Sequence, residues 1–143
     1  MQENTDIVAL IREKDTYAHK LGIDIIEAKD GRSHVTMMMD DTTANAIGNV
    51  HGGVIFSLAD LAFATACNSE GILSVAIEST IHYMAPCPSQ GRLDAIGEKT
   101  GETRRLGFYR ITVFTPGDTE DTGDKTIAVM QAISYKKIEP VLS

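Results

Sequence analysis

The sequence predicts an α+β fold in which a mostly antiparallel, curved sheet wraps around one long central helix. Three observations carry this. The stretch HGGVIFSLADLAFATACNS, His51 to Ser69, follows no single apolar face: from Val54 to Ala66 only Ser57, Asp60 and Thr65 have polar side chains, the pattern of a helix inside a core. The remaining elements run helix, two strands, buried helix, four strands, without the alternation of a parallel sheet. Finally, 143 residues suit one domain, 1–143, with a single core.

Taken in order, 5–20 places Ile7, Leu10, Ile11 and Tyr17, then Leu21, three or four residues apart, with Asn4 or Thr5 to cap and Gly22 to stop the helix. The runs 23–28 and 33–39 flank Lys29-Asp30-Gly31-Arg32, and Asp-Gly between strand-like runs predicts a hairpin. Val35, Met37 and Met39 would share its core face. A loop over 40–50 leads into the central helix. The next strand, 73–85, puts Val75, Ile77, Ile81 and Tyr83 on one face and ends at Pro86 and Pro88, which cannot donate ladder hydrogen bonds. Strands over 92–105, 107–115 and 125–137 complete the sheet, with turns at Leu106-Gly107 and in the acidic stretch 116–124. One such layer leaves a face and an edge uncovered, which predicts a homodimer or a dimer of dimers.

A net charge of −7 argues against a nucleic-acid partner. No apolar run is long enough to span a bilayer and no export signal is recognisable, so no membrane partner is expected and the cytoplasm is the expected location. Two cysteines, Cys67 and Cys87, then read as free thiols. His19, His34 and His82 show no ligand spacing, and no metal is expected.

Asp60 is the chemical anomaly, because a lone carboxylate inside an apolar helix must be paired, hydrogen-bonded or protonated. Upstream, Gly52 and Gly53 bare the helix start, whose free N–H groups and positive dipole end face any approaching oxygen. Donors for a developing oxyanion and a base or nucleophile are what acyl transfer to water requires. Each residue also has a structural reading: Asp60 as an ion-pair partner, His51 as a helix cap, the glycines as close-packing positions.

Asn45, the HGG…D and ACNS elements of 51–69, STIHYMAP (79–86) and LGIDII (21–26) resemble the hotdog-fold acyl-CoA thioesterases of the phenylacetic-acid-degradation (PaaI) type. The resemblance covers nearly the whole chain. It implies hydrolysis of an acyl-CoA thioester at a site shared between two protomers, with no cofactor, coenzyme A being part of the substrate. Asp60 matches the family's catalytic carboxylate, Gly52 the residue whose backbone N–H polarises the carbonyl, and Asn45 a side-chain helper there; His51 lines the site. Gly53, Val75 and Ala76 are expected to line the substrate site, and Arg104 and Arg105 to meet the CoA phosphates, with Lys136 and Lys137 competing. Two positions depart from the pattern: Lys14 stands where members can carry Asn, and Ala76 where related enzymes have Ser. A hydratase or dehydratase of the same fold, using Asp and His, and a non-catalytic acyl-CoA sensor are the rival functions.

Overall fold

The computed structural model describes residues 7–117 and 123–137. The first helical stretch is two helices, α1 (Ile7–Lys14) and α2 (Thr16–Leu21), where the sequence suggested one. Asp15 causes the break: its backbone is extended and its side chain accepts from Ala18 N, so it caps a second helix instead of continuing the first. The caps expected at Asn4 and Thr5 lie outside the described residues. Gly22 stops α2 in the left-handed conformation, φ +72°.

Strands β1 (Asp24–Lys29) and β2 (Arg32–Met39) form the expected hairpin. Both turn residues have positive φ, 54° at Asp30 and 82° at Gly31, the two-residue turn whose twist matches that of the strands. After a short 3₁₀ turn, Asp41–Thr43, come α3 (Gly52–Asn68), β3 (Ser74–Tyr83), β4 (Gly91–Glu102), β5 (Leu106–Thr115) and β6 (Lys125–Lys136). The sheet order is β1-β2-β4-β5-β6-β3 with every pair antiparallel. This is the hotdog arrangement, with β3 an outer strand.

The core lies between α3 and the concave sheet face. Leu58, Ala59, Ala62, Phe63 and Ala66 of α3 are buried against Val35, Met37, Leu93, Ala95, Ile111, Val113 and Met130. Each large apolar side chain so covered stabilises the fold by about 1.5–3 kcal/mol. The ACNS segment is structural. Asn68 binds Ser74 N (2.8 Å) and Ser74 O (3.1 Å), and Ser69 Oγ accepts from Gly31 N at 2.8 Å, tying the end of α3 to β3 and to the β1–β2 turn.

Three expectations are corrected. The β4–β5 turn is Thr103-Arg104-Arg105 rather than Leu106-Gly107. Gly107 lies buried in β5, where a Cβ would stand 2.7 Å from Ser134 Oγ, so packing rather than turning demands glycine. A bulge between Ala76 and Glu78 splits the expected apolar face of β3: Val75 registers with Tyr135, while Ile81 and Tyr83 register with Met130 and Ala128 on the other side. Most importantly, α3 is not buried all round. Gly53 and Asp60 are exposed and Ser57 and Ala64 half-buried, an open stripe at helical spacing. The third polar residue, Thr65, is buried and bonds back to Leu61 O at 2.9 Å.

Candidate active site

The helix start is built by its cap. His51 has extended backbone, donates its own N–H to Thr43 O (2.8 Å), and accepts from Gly53 N on Nδ1 at 3.2 Å. An accepting Nδ1 requires the proton on Nε2, so the ring is neutral and offers Nε2–H as a donor. Val54 N and Ile55 N both reach His51 O. Among the described residues, that leaves the Gly52 N–H as the amide of the first turn without an acceptor.

The loop before α3 carries Asn45. Its Oδ1 accepts from Ile47 N (3.0 Å) and Asn49 N (3.1 Å), which folds the loop and fixes the amide group. With the oxygen so occupied, the Nδ2 donors have no partner among the described residues. Asn45 and Gly52 meet in one recess of about 340 Å³, shared with Asn49, Val50, Ile55 and Tyr83. Tyr83 closes it from the sheet side, its hydroxyl donating to Gly52 O at 3.0 Å.

Asp60 does not meet this group. It lies eight residues along the same helix from Gly52, about 12 Å at ~1.5 Å per residue. Nor is it the buried carboxylate expected: it is exposed on the open stripe of α3. Its carboxyl is nonetheless held above the usual carboxylate range, first by partial desolvation against the helix and then by the like charge of Asp15. One turn before it, Tyr17 Oη lies 3.1 Å from Ser57 Oγ. Ser57 spends its proton on Gly53 O (2.8 Å), so Tyr17 is the donor.

The other expected site residues sit elsewhere. Val75 and Ala76 are exposed near the start of β3, at the opposite end of that strand from Tyr83. Arg104 is exposed in the β4–β5 turn, while Arg105 donates to Tyr135 Oη at 2.8 Å. Lys136 is engaged by Glu102 (2.7 Å) and Thr103 O (2.8 Å), which weakens its candidacy for phosphate. Among the described residues, no group of three or more His, Cys, Asp or Glu side chains could hold a metal ion.

Sequence reasoning missed a polar cluster on the helix-free face of the sheet. Asp94 Oδ1 accepts from Thr36 (2.7 Å) and Arg92 Nε (2.8 Å), and Oδ2 faces His34 Nε2 (2.7 Å) and Arg92 Nη2 (2.8 Å). Its side chain is only 1% exposed. Burial alone would raise this carboxyl, but the hydrogen bonds from Arg92, Thr36 and His34 outweigh it and hold the pKa at about 2. The signal was polar alternation, His34/Thr36 and Arg92/Asp94, yet it becomes a cluster only once the β2–β4 register is known. Tyr83 was likewise seen as a face residue, without its bond to Gly52.

Residues 47–122 match the family model described as the thioesterase superfamily, and the chain belongs to that superfamily: it is a thioester hydrolase. More particularly, it is 36% identical over 124 residues to the acyl-coenzyme A thioesterase PaaI of Escherichia coli (strain K12), covering 87% of this chain and 84% of the relative. The structure of the E. coli PaaI protein superposes with a TM-score of 0.83 at 33% identity, over 94% of this chain and 93% of that one. A putative esterase of Archaeoglobus fulgidus is 36% identical over 112 residues, 78% of this chain and 69% of its own length. A variant of the phenylacetic acid degradation protein PaaI from Thermus thermophilus superposes with a TM-score of 0.75 at 26% identity, over 83% and 96% of the two chains.

Proposed function

We propose that the protein hydrolyses an aryl- or medium-chain acyl-CoA thioester to the free acid and CoA, at a site completed by a second copy of the chain. The carrying observation is the unpaired N–H of Gly52 at the positive end of a 17-residue helix, in a recess that Gly52 and Asn45 both line. These donors suit a thioester oxygen that gains charge as the carbonyl is attacked. The named activity of the E. coli relative supports the substrate class.

Asp60 supplies the attack. As a base it takes a proton from water while the water oxygen bonds to the acyl carbon; the C–S bond then breaks, and the CoA thiolate takes the proton. As a nucleophile its carboxylate oxygen bonds to the acyl carbon while the C–S bond breaks and CoA leaves as the thiolate; water then opens the mixed anhydride, giving the free acid and the restored Asp60 carboxylate, and the proton released goes to the thiolate. Either route needs Asp60 near a carbonyl held at Gly52, and the separation along α3 supports pairing one protomer's Asp60 with the other's Gly52. A two-fold pairing along β3 is antiparallel. It would carry the partner subunit's Val75 and Ala76, and the arginine turn at that end of the sheet, toward the Tyr83 end and its recess, beside Gly53. His51, with Nδ1 occupied, serves as a donor, which disfavours the hydratase reading that needs it as a base.

Within this reading residues 1–143 form one thioesterase domain, no cofactor takes part because CoA belongs to the substrate, and the two free, buried thiols fit a reducing compartment such as the cytoplasm. No helix among the described residues is long and apolar enough to cross a membrane. Thiol release across a panel of acyl-CoAs tests the function: saturable turnover is expected, and a chain silent on every thioester while binding them would instead be a sensor.

A further inference from the structure

Tyr83 ends the outer strand β3, and its ring stands over the first turn of α3. A Cβ placed on Gly52 would lie 3.4 Å from Tyr83 Cζ and 3.5 Å from its hydroxyl oxygen, so the phenol rests against the bare glycine. Its hydroxyl donates to Gly52 O at 3.0 Å. That carbonyl does not need the bond for satisfaction, since the groups left orphaned at a helix start are the amides. The consequence is orientation. The peptide joining Gly52 to Gly53 is held at its oxygen by Tyr83 and at its N–H by His51 Nδ1. Two hydrogen bonds on opposite sides of one peptide plane remove its freedom to rotate, at the place where adjacent glycines would otherwise leave the backbone most free. The Gly52 N–H belongs to the preceding peptide, whose oxygen, His51 O, is held by Val54 N and Ile55 N; fixing the plane on the other side of Gly52 leaves little rotation about its φ and ψ, and so steadies the unpaired N–H.

We propose that Tyr83 is a positioning residue for hydrolysis: its hydroxyl locks the Gly52–Gly53 peptide so that the Gly52 N–H points at the thioester oxygen. This rests on the assignment of Gly52 as the oxyanion donor. Preorganised donors act on charge that develops in the transition state, so loosening one lowers kcat while leaving ground-state binding alone.

The test is Tyr83→Phe, which keeps the ring and its packing and removes only the hydroxyl. Its kcat should fall about tenfold, the scale of one weakened donor, with KM changed by less than about twofold. Backbone exchange at the Gly53 amide, followed by NMR in the same variant, should quicken as the clamp loosens. Unchanged kcat overturns the proposal, as does a loss confined to KM. A kcat loss with unaltered Gly53 exchange also overturns it, because the hydroxyl would then act on substrate directly. Failure of the thioesterase reading looks different: the unaltered protein would itself release no thiol.

Discussion

His51 Nδ1 accepts the Gly53 amide at 3.2 Å, and this one bond makes the histidine both the helix cap and a neutral Nε2–H donor. The two duties separate under substitution. His51→Asn keeps a good cap and should retain stability, whereas His51→Ala should cost about 1 kcal/mol in denaturant unfolding. Both should lose activity to a similar degree, because both lack the ring donor. Equal activity in the Asn variant and the unaltered protein would reduce His51 to a cap.

Asp60 and Asp15 couple. The carboxyl of Asp60 is raised by desolvation first and by Asp15 second, and the proposed attack requires its ionised form. Activity should therefore fall as pH drops through that raised pKa. Asp15→Asn preserves the α2 cap and removes the like charge, so the acid limb of the kcat/KM profile should move to lower pH. An unmoved limb would assign it to another group.

Asp60→Asn should separate function from stability. A carboxyl whose folded pKa lies above its unfolded value favours folding when protonated, and that contribution is lost as pH rises through the folded pKa. Above that raised pKa the ionised Asp60 is thus a burden on the fold. The Asn variant should lose activity by about a hundredfold or more while melting no earlier than the unaltered protein. An early-melting variant with normal turnover per folded molecule would make Asp60 structural.

For Asp94 the sign is opposite. Its pKa is held at about 2 against a usual 3.8, so its contribution is fully present above the unfolded pKa and is lost as pH falls from near 4 toward 2. The amount is on the order of 2 kcal/mol by linkage. Asp94→Asn should flatten the acid limb of stability measured by urea unfolding, with catalysis per folded molecule unchanged. An acid limb as steep as before would place the sensitivity in other carboxylates.

The fold was legible because its signals are local. Asp30-Gly31 announces the hairpin, Pro86 closes a strand, and the apolar density of 54–66 has no surface explanation. What misled was relational. An all-apolar helix reads as fully buried, yet the stripe through Gly53, Ser57 and Asp60 is left open because one sheet layer covers only part of a helix. Tyr17, on the periodicity of a first helix, lies 40 residues before Ser57 in the chain and still donates to it. Val75 changes face because one inserted residue, at the Ala76/Glu78 bulge, inverts a period of two. The Tyr83–Gly52 and Asp94 contacts likewise depend on register between distant segments, which composition and spacing do not encode.

Phosphate recognition should discriminate between the two turn arginines. Arg105 is tied to Tyr135 Oη, whereas no side-chain partner occupies Arg104 among the described residues and its side chain reaches into solvent. Contacts to CoA phosphates far from the thioester bind ground and transition states alike. Arg104→Ala should therefore raise KM for acyl-CoA with little change in kcat, and should weaken the dependence of KM on salt. An unchanged KM and salt response would move the phosphate site elsewhere.

The shared site has a test that needs no structure of the dimer. Asn45→Ala damages the donor side of a site and leaves Asp60 intact, while Asp60→Asn does the reverse. If each site takes Gly52 and Asn45 from one protomer and Asp60 from the other, a mixed dimer holds one site with both lesions and one with neither. Unfolding the two impaired variants together and refolding them at equal amounts should then restore about a quarter of normal activity, since about half of random dimers are mixed and each carries one sound site of two. If each site were built within one chain, mixing would restore nothing, because every protomer would carry its own lesion. A charge placed on the open strand provides the complement. Ile77 is 56% exposed at the bulge of β3, and Ile77→Lys should favour monomers in sedimentation and abolish activity while the monomer's circular dichroism stays native. An active monomer would exclude the two-chain site.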